Sequence, residues 1–378
     1  MKFIHLSDLH LGKRVNEFSM IEDQNYILNE ILTIIDEENA DGVFIAGDIY
    51  DKPVPPAEAV QLFDWFLNEL AKRDLYIFLI SGNHDSAERL AFGGELMKEK
   101  KVFVSPVFTQ IPSPVVLKDT YGEVNVYLLP FIKPVYVRRV LEEQEEIHSY
   151  DEAVQAVVEA MQIDKKKRNV ILAHQFVTGA LRSESEEISV GGIDNVNASR
   201  FAVFDYVALG HIHRPQNMAG DKIRYCGSPL KYSFSESTHQ KSVTVVELRE
   251  KDEVTIRTVP VSPLRDLCEI KGTYEELVSK QFYQKQTCDN YMHVTLTDEE
   301  DIPDVLNKLR VVYPNIMKID YDNKRTKMSQ NIEEAKHIKQ KTPMELFGEL
   351  YELQNNQNMS EEQQKFLQLL IEEIWEES

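Results

Sequence analysis

The stretch KFIHLSDLHLGK, Lys2–Lys13, decides how this chain reads. An apolar run from Lys2 to Ser7 leads straight into Asp8 and His10, two residue types that bind metal, before Gly12 turns the chain. Four more short apolar runs end the same way. Asp41–Gly47 runs into Asp48, Leu75–Gly82 into Asn83, Asn169–Ala173 into His174, and Tyr206–Gly210 into His211 and His213. Short runs of Val, Ile, Leu and Phe bounded by polar or glycine residues read as buried strands. In open α/β sheets, ligands gather outside the carboxyl ends of the strands, so five such ends can bring their last residues to one crevice. The expected fold is α/β, with a two-metal site at that end.

Outward from these runs, residues 1 to about 262 alternate strand and helix. Ile27, Leu28, Ile31, Leu32 and Ile35 mark one face of a helix after Ser7, and a second helix opens at Pro55 and Pro56. That second helix carries a core stripe, Val60, Phe63, Leu67 and Leu70, and another apolar group, Leu62, Trp65 and Phe66. Two apolar faces mean deep burial or an interface, with a second copy of the chain as the interface partner. Val243–Leu248 and Val254–Val259 read as a hairpin, and Pro260 and Pro263 close the first unit.

A smaller α+β unit follows over 263–323, with strands at Tyr291–Leu296 and Ile316–Tyr321 and a helix through Val305 and Leu309. From 324 the chain reads as a linker, polar from Lys324 to Ala335, and then two helices. Thr342-Pro343-Met344-Glu345 and Ser360-Glu361-Glu362-Gln363 fit capping boxes, and Phe366, Leu367, Leu370, Ile371, Ile374 and Trp375 form an apolar stripe. Such a stripe either folds back on its own domain or docks on a partner's helices.

The whole chain has 42 Lys and Arg against 63 Asp and Glu, a net charge of −21. An average charge of that sign repels polyanions, so tight nucleic-acid binding must be focused locally. Two divalent ions would reverse the sign in the crevice, near Lys13, Arg14 and Arg182. Lys165-Lys166-Lys167-Arg168 reads instead as a solvated connection between a helix and a strand. Three cysteines, Cys226, Cys268 and Cys288, without Cys-x-x-Cys spacing, read as reduced thiols. No apolar stretch approaches the roughly 20 residues of a membrane span, and a cytoplasmic location is expected.

Taken in order, Asp8-Leu9-His10, Gly47-Asp48, Gly82-Asn83-His84-Asp85, Ala173-His174 and Gly210-His211-Ile212-His213 resemble the calcineurin-like metallophosphoesterases. Any one of these motifs alone is weak, since a single histidine before a polar loop is more often structural. Two divalent cations also need a shared anionic ligand and mixed nitrogen and oxygen donors, which seven side chains here can supply. The resemblance implies that Asp8, His10 and His213 hold one metal, that Asn83, His174 and His211 hold the other, and that Asp48 bridges them. It implies further that His84 protonates the leaving oxygen, with Asp85 available to orient its other ring nitrogen. His5, His148, His239, His293 and His337 lack such contexts.

Leu6–Gly12, Gly47–Asp51 and Tyr225–Glu236 are similar to the SbcD family, nuclease subunits of bacterial SbcCD complexes. That similarity implies a capping module after the nuclease domain, C-terminal helices that bind SbcC, and a metal-dependent 3′–5′ duplex exonuclease and single-strand or hairpin endonuclease. It also implies two Mn²⁺ (Mg²⁺ in their place), a homodimer within a heterotetramer, and nucleoid association for DNA repair, recombination and replication. Some archaeal relatives carry histidine where this chain has Asp51, so a DNA-positioning role does not transfer to that position. Asp51 reads instead as a carboxylate behind the ligands. The Gly227–Glu236 stretch reads as support for the His213 loop. The sequence contains no Gly-x-x-x-x-Gly-Lys-Ser/Thr loop, so ATP dependence would come from the coiled-coil ATPase SbcC. The alternative is a phosphatase or phosphodiesterase acting on a small-molecule or protein ester through the same metal core.

Overall fold

The computed structural model describes residues 1–141, 147–186, 195–323, 343–355 and 359–376. Its first sheet has the order β12-β11-β1-β2-β3-β4, made of β1 (Lys2–Leu6), β2 (Gly42–Ala46), β3 (Tyr76–Ile80), β4 (Val102–Val104), β11 (Ser242–Leu248) and β12 (Val254–Pro260). The second runs β9-β10-β8-β7-β6-β5, made of β5 (Val115–Asp119), β6 (Gly122–Leu129), β7 (Arg168–His174), β8 (Tyr206–Gly210), β9 (Gln216–Asn217) and β10 (Ile223–Tyr225). Of the five metal-motif strands, β1, β2 and β3 pair parallel with one another, as do β7 and β8, while β1 pairs antiparallel with β11 on its other side. Antiparallel pairs lie toward the edges, and the expected Val243 hairpin is β11 with β12.

The two sheets face each other across an aromatic-rich layer in which Phe3, Phe44 and Phe78 meet Val126, Leu172 and Tyr206. Because the central strands are apolar on both faces, each sheet must also be covered outside. Helix α1 (Ile21–Glu38) buries Ile27, Leu28, Ile31, Leu32 and Ile35 on the first sheet and stops at Asn39, whose φ of 50° closes the cap. Helix α3 (Tyr150–Ala160) buries Val154 and Val157 on the outer side of the second, behind a Ser149–Glu152 capping box.

Helix α2 (Ala57–Lys72) corrects the expected stripes. Leu62, Phe63, Phe66 and Leu70 are buried, Val60 is exposed, and Trp65 and Leu67 are half-buried. Positions 62, 63, 66 and 70 share one helical face, so the core stripe combines members of both expected groups. The Lys165–Arg168 cluster also divides. Its three lysines are exposed, but Arg168 opens β7 and is buried, with Asp119 Oδ1 at 2.5 Å and the carbonyls of Gly122 and Arg249 at 2.8 Å.

A separate three-stranded parallel sheet follows, β13 (Leu267–Gly272), β14 (Tyr291–Leu296) and β15 (Ile316–Tyr321), with helix α4 (Val305–Arg310). β13 was not expected, because Cys268, Glu269 and Lys271 interrupt its apolar pattern. The unit has its own core around Val294, Leu296, Leu309 and Tyr313. It is fastened to α1 by buried Asp23, which accepts from Arg265 at 3.0 Å and from the Tyr291 hydroxyl at 2.7 Å.

Helices α5 (Pro343–Asn355) and α6 (Glu361–Glu376) complete the described chain. Ser360 and Gln363 exchange the reciprocal bonds of a capping box. The expected linker at Lys324–Ala335, Thr342 of the other capping box, His337 and the side chains of Ile374 and Trp375 lie outside the described residues. No described helix is long and apolar enough to cross a membrane.

Candidate metal centre

The loops after β1 and β2 are zipped together by their backbones. Asp8 N donates to Gly47 O and His10 N to Asp48 O, both at 3.0 Å, and Leu11 N to Ile49 O at 2.9 Å. The backbone here takes unusual conformations, with φ of 53° at Asp8, 44° at His10 and 50° at Asp48 in the paired loops, and 101° at His211 after β8. Left-handed backbone at four non-glycine residues in one place is strain of the kind that surrounding structure must hold, and it gathers at functional sites. Two glycines make the close approach possible. A Cβ on Gly82 would collide with the Asp48 carboxylate, and one on Gly210 with the Ala46 carbonyl.

All seven expected ligands converge. Asp8, His10 and His213 offer ligand atoms within 4.8 Å of one another, as do Asp8, Asp48 and His174. His10 Nε2 lies 3.0 Å from His213 Nε2 and 3.7 Å from Asp48 Oδ2. On the other side, His174 Nε2 lies 3.0 Å from Asn83 Oδ1 and 3.3 Å from Asp48 Oδ2, and His211 Nδ1 lies 3.0 Å from Asn83 Oδ1. Asp48 is thus the carboxylate common to both groups. Asp8 also reaches across, accepting from His211 N at 2.9 Å.

This donor set fits a pair of divalent cations. His174 Nδ1 must donate to the Ala46 carbonyl, 2.8 Å away, so a neutral His174 has no second proton for the two oxygens that face its Nε2. Without a cation the conflict is met by charge: burial alone would lower the His174 pKa, but Asp48 outweighs it and raises the value to about 9. On the other side the Nε2 atoms of His10 and His213 face each other at 3.0 Å, which offers a cation two nitrogen donors. Burial holds His10 and His211 well below the ordinary histidine range, leaving neutral rings with lone pairs to give.

Behind His213 stands a relay that the sequence did not reveal. Ser185 Oγ lies 2.7 Å from His213 Nδ1 and 2.6 Å from Glu236 Oε1. The carboxylate can only accept, so the serine hydroxyl donates to Glu236 and accepts from His213 Nδ1–H, which turns the Nε2 lone pair toward the metal side. Burial pushes the Glu236 carboxyl up, but Lys241 at 2.5 Å outweighs it and holds the group ionised. Lys241 also donates to His213 O and Ser228 Oγ, both at 2.8 Å, and Glu186 accepts from His213 N at 2.6 Å. Ser228 and Glu236 belong to the expected supporting stretch. Ser185, Glu186 and Lys241 had no motif to mark them.

Asp85 corrects another expectation. Its carboxylate accepts from the backbones of Gly82 and Tyr50 at 2.9 Å and Ile49 at 3.1 Å, so it ties the Asn83 loop to the Asp48 loop and does not orient His84. His84 Nδ1 faces the Asp51 carbonyl at 3.2 Å instead, while His84 N donates to Asp48 Oδ1 at 2.9 Å. His84 also belongs to a third possible ligand group with His10 and Asp48. The Asp51 side chain binds Lys13 at 2.6 Å and lies 3.7 Å from His10 Nδ1, behind the ligands as expected. Arg182 lies over the Phe176 ring at 3.6 Å, beside His211, whereas Arg14 is turned to its own hairpin through Glu17.

Against known proteins, residues 1–215 match the calcineurin-like phosphoesterase family. Residues 263–355 match a second family, described as the type 5 capsule protein repressor C-terminal domain and labelled SbcD_C. The SbcD component of the SbcCD nuclease from Staphylococcus epidermidis (strain ATCC 12228 / FDA PCI 1200) is 32% identical over 375 residues, 98% of each chain. The chain belongs to the SbcD family of calcineurin-like phosphoesterases. It is a phosphodiesterase-type hydrolase with a candidate two-metal centre. Among solved structures, a dimetal phosphatase from Danio rerio is 13% identical over 70% of this chain and 98% of its own, with a TM-score of 0.41. A Thermus thermophilus protein is 12% identical over 68% and 98%, with a TM-score of 0.40.

Proposed function

We propose that this chain is the DNA nuclease subunit of an SbcCD-type complex, cutting duplex ends 3′–5′ and single strands or hairpins internally with two manganese ions. The observation that carries the reading is the convergence of seven donors from five strand ends around the shared carboxylate Asp48, in a chain aligned end to end with a nuclease subunit. Asp8, His10 and His213 would hold one ion and Asn83, His174 and His211 the other. Bound there, the two cations would supply Lewis-acid stabilisation of a phosphodiester and a nucleophile at neutral pH. His84 is half-buried beside the six buried ligands and open to a substrate. With Nδ1–H given to the Asp51 carbonyl, protonated His84 presents Nε2–H as the acid for the leaving oxygen. Asp85, Ser185 and Glu236 position these groups without touching substrate.

The proposed organisation is a nuclease domain over 1–262, a capping domain over 263–323 and SbcC-binding helices within 324–378. Phe347 and Leu350 of α5 and Phe366, Leu369 and Leu370 of α6 are exposed, an apolar surface that suits a partner's coiled coil. Exposed Val60 on α2 and Phe92, beside a cleft of about 380 Å³, suit a second copy of the chain. The test is a nuclease assay on duplex, hairpin and single-stranded DNA with manganese, run on the full chain and on one ending at Asn323. The shortened chain is expected to keep manganese-dependent cutting of single strands but fail to co-purify with SbcC. Stoichiometric co-purification would place the docking surface elsewhere.

A further inference from the structure

A cavity of about 690 Å³ lies between the Tyr232–Thr238 segment and the open face of the three-stranded sheet, with Arg14 among its lining residues. Its inner wall is shared with the metal centre. Ser185, which holds His213, lines it, as does Tyr232, whose ring packs edge-on against His10 and His213 at 5.6 and 6.0 Å between centroids. Its far wall is a row across three strands, because Glu269, His293 and Lys318 occupy paired register positions on β13, β14 and β15.

Two features decide what the cavity can take. The first is charge. The cations Arg14 and Lys318, and the His293 ring that donates from both nitrogens, are matched by the carboxylates Glu184, Glu269 and Asp320, the last 2.7 Å from Lys318. A phosphate would meet no net attraction there. The second is a pair of rings, Phe234 and His293, with centroids 5.2 Å apart at 49°. His293 is gripped on both nitrogens, by Glu269 at 2.9 Å and Asp320 at 2.8 Å, so its plane is fixed before anything binds. A near-neutral wall with preset rings suits an uncharged, flat, polar heterocycle, since every base has a face that stacks and ordering the site costs little on binding.

We propose that this cavity is a nucleobase subsite, which receives an unpaired base of the strand whose phosphate lies in the metal centre. The base stacks on Phe234, with the edge of the His293 ring fixed behind it, and the Ser233 and Thr238 hydroxyls line the same cavity. A base reaches such a face only when free of its own stack, so the subsite selects single-stranded or frayed ends. This rests on the nuclease reading above and adds to it a means of gripping the strand beside the cut.

The test compares the full-length chain with its Phe234→Leu and His293→Gln variants, with manganese, on a short oligothymidylate and on bis(p-nitrophenyl) phosphate. The leucine keeps the apolar packing of Phe234, and the glutamine keeps hydrogen-bonding capacity at 293. Each variant is expected to raise KM for the oligonucleotide roughly tenfold, from the usual worth of one stacked base, with kcat and small-diester hydrolysis unchanged. Wild-type KM in both variants, or equal losses on the two substrates, would overturn the subsite while leaving the nuclease reading intact. A wild-type chain that hydrolyses the small diester but no DNA would overturn both.

Discussion

The two halves of the metal centre are built differently. His174 is aimed by a backbone carbonyl, Ala46 O at the end of β2, whereas His213 is aimed by a side-chain relay through Ser185, Glu236 and Lys241. The first support comes with the strand order itself, since Ala46 and His174 sit where the ends of β2 and β7 meet. The second depends on residues 28 positions before and 23 and 28 positions after the histidine. One half is therefore fixed by topology and cannot be removed by changing a side chain. The other half can be loosened by a single substitution.

Breaking what the halves share has the largest effect. Asp48→Asn keeps the shape but removes the anion between two cations, so both ions are expected to be lost and turnover to fall to background. Metal analysis of the purified variant checks this, and two ions per chain at wild-type affinity would refute the bridging role. Next comes His84→Gln, which leaves the ligands in place. Cleavage is expected to fall about 10² to 10⁴-fold with metal content and DNA binding retained, the usual worth of a general acid. Near wild-type cutting would remove His84 from the chemistry.

The contrast itself is sharpened by Ser185→Ala, which cuts the relay without stranding Lys241. One manganese is expected to bind about 10 to 100-fold more weakly and the other almost normally, a split that calorimetric titration resolves. Equal weakening of both would mean that the relay supports the site as a whole. The smallest effect expected lies far from the crevice. Burial pushes the Asp119 carboxyl up, but Arg168 and the N-terminal ammonium outweigh it and hold the group below the ordinary carboxylate range. Its contribution is therefore complete above pH of about 4 and fades as pH falls through the depressed folded value. Asp119→Asn is expected to cost about 2 kcal/mol at neutral pH, because it leaves the buried Arg168 charge without its carboxylate, and progressively less in acid. Denaturant melts across pH read this directly.

The same contrast explains what could be read from the sequence. Asp8, His10, Asp48, Asn83, His174, His211 and His213 were legible because each follows an apolar run, and a strand carries its last residue to a place set by sheet order. His213's helpers were illegible because Ser185, Glu186 and Lys241 sit in polar segments without period, and only the folded chain brings them together. Asp85 misled for a related reason. Adjacency to His84 suggested that it served the ring, but the tight turn after Gly82 points its carboxylate back at three backbone N–H groups. On α2, two apolar stripes were visible, but which residues faced the sheet depended on how the helix lay across it.

The most direct test is anomalous scattering at the manganese edge from crystals of the full-length chain grown with the metal. The expected result is two peaks about 3.5 to 4 Å apart, one against Asp8, His10 and His213, the other against Asn83, His174 and His211, and both touching Asp48. A single peak, or two peaks that Asp48 does not bridge, would contradict the two-metal centre.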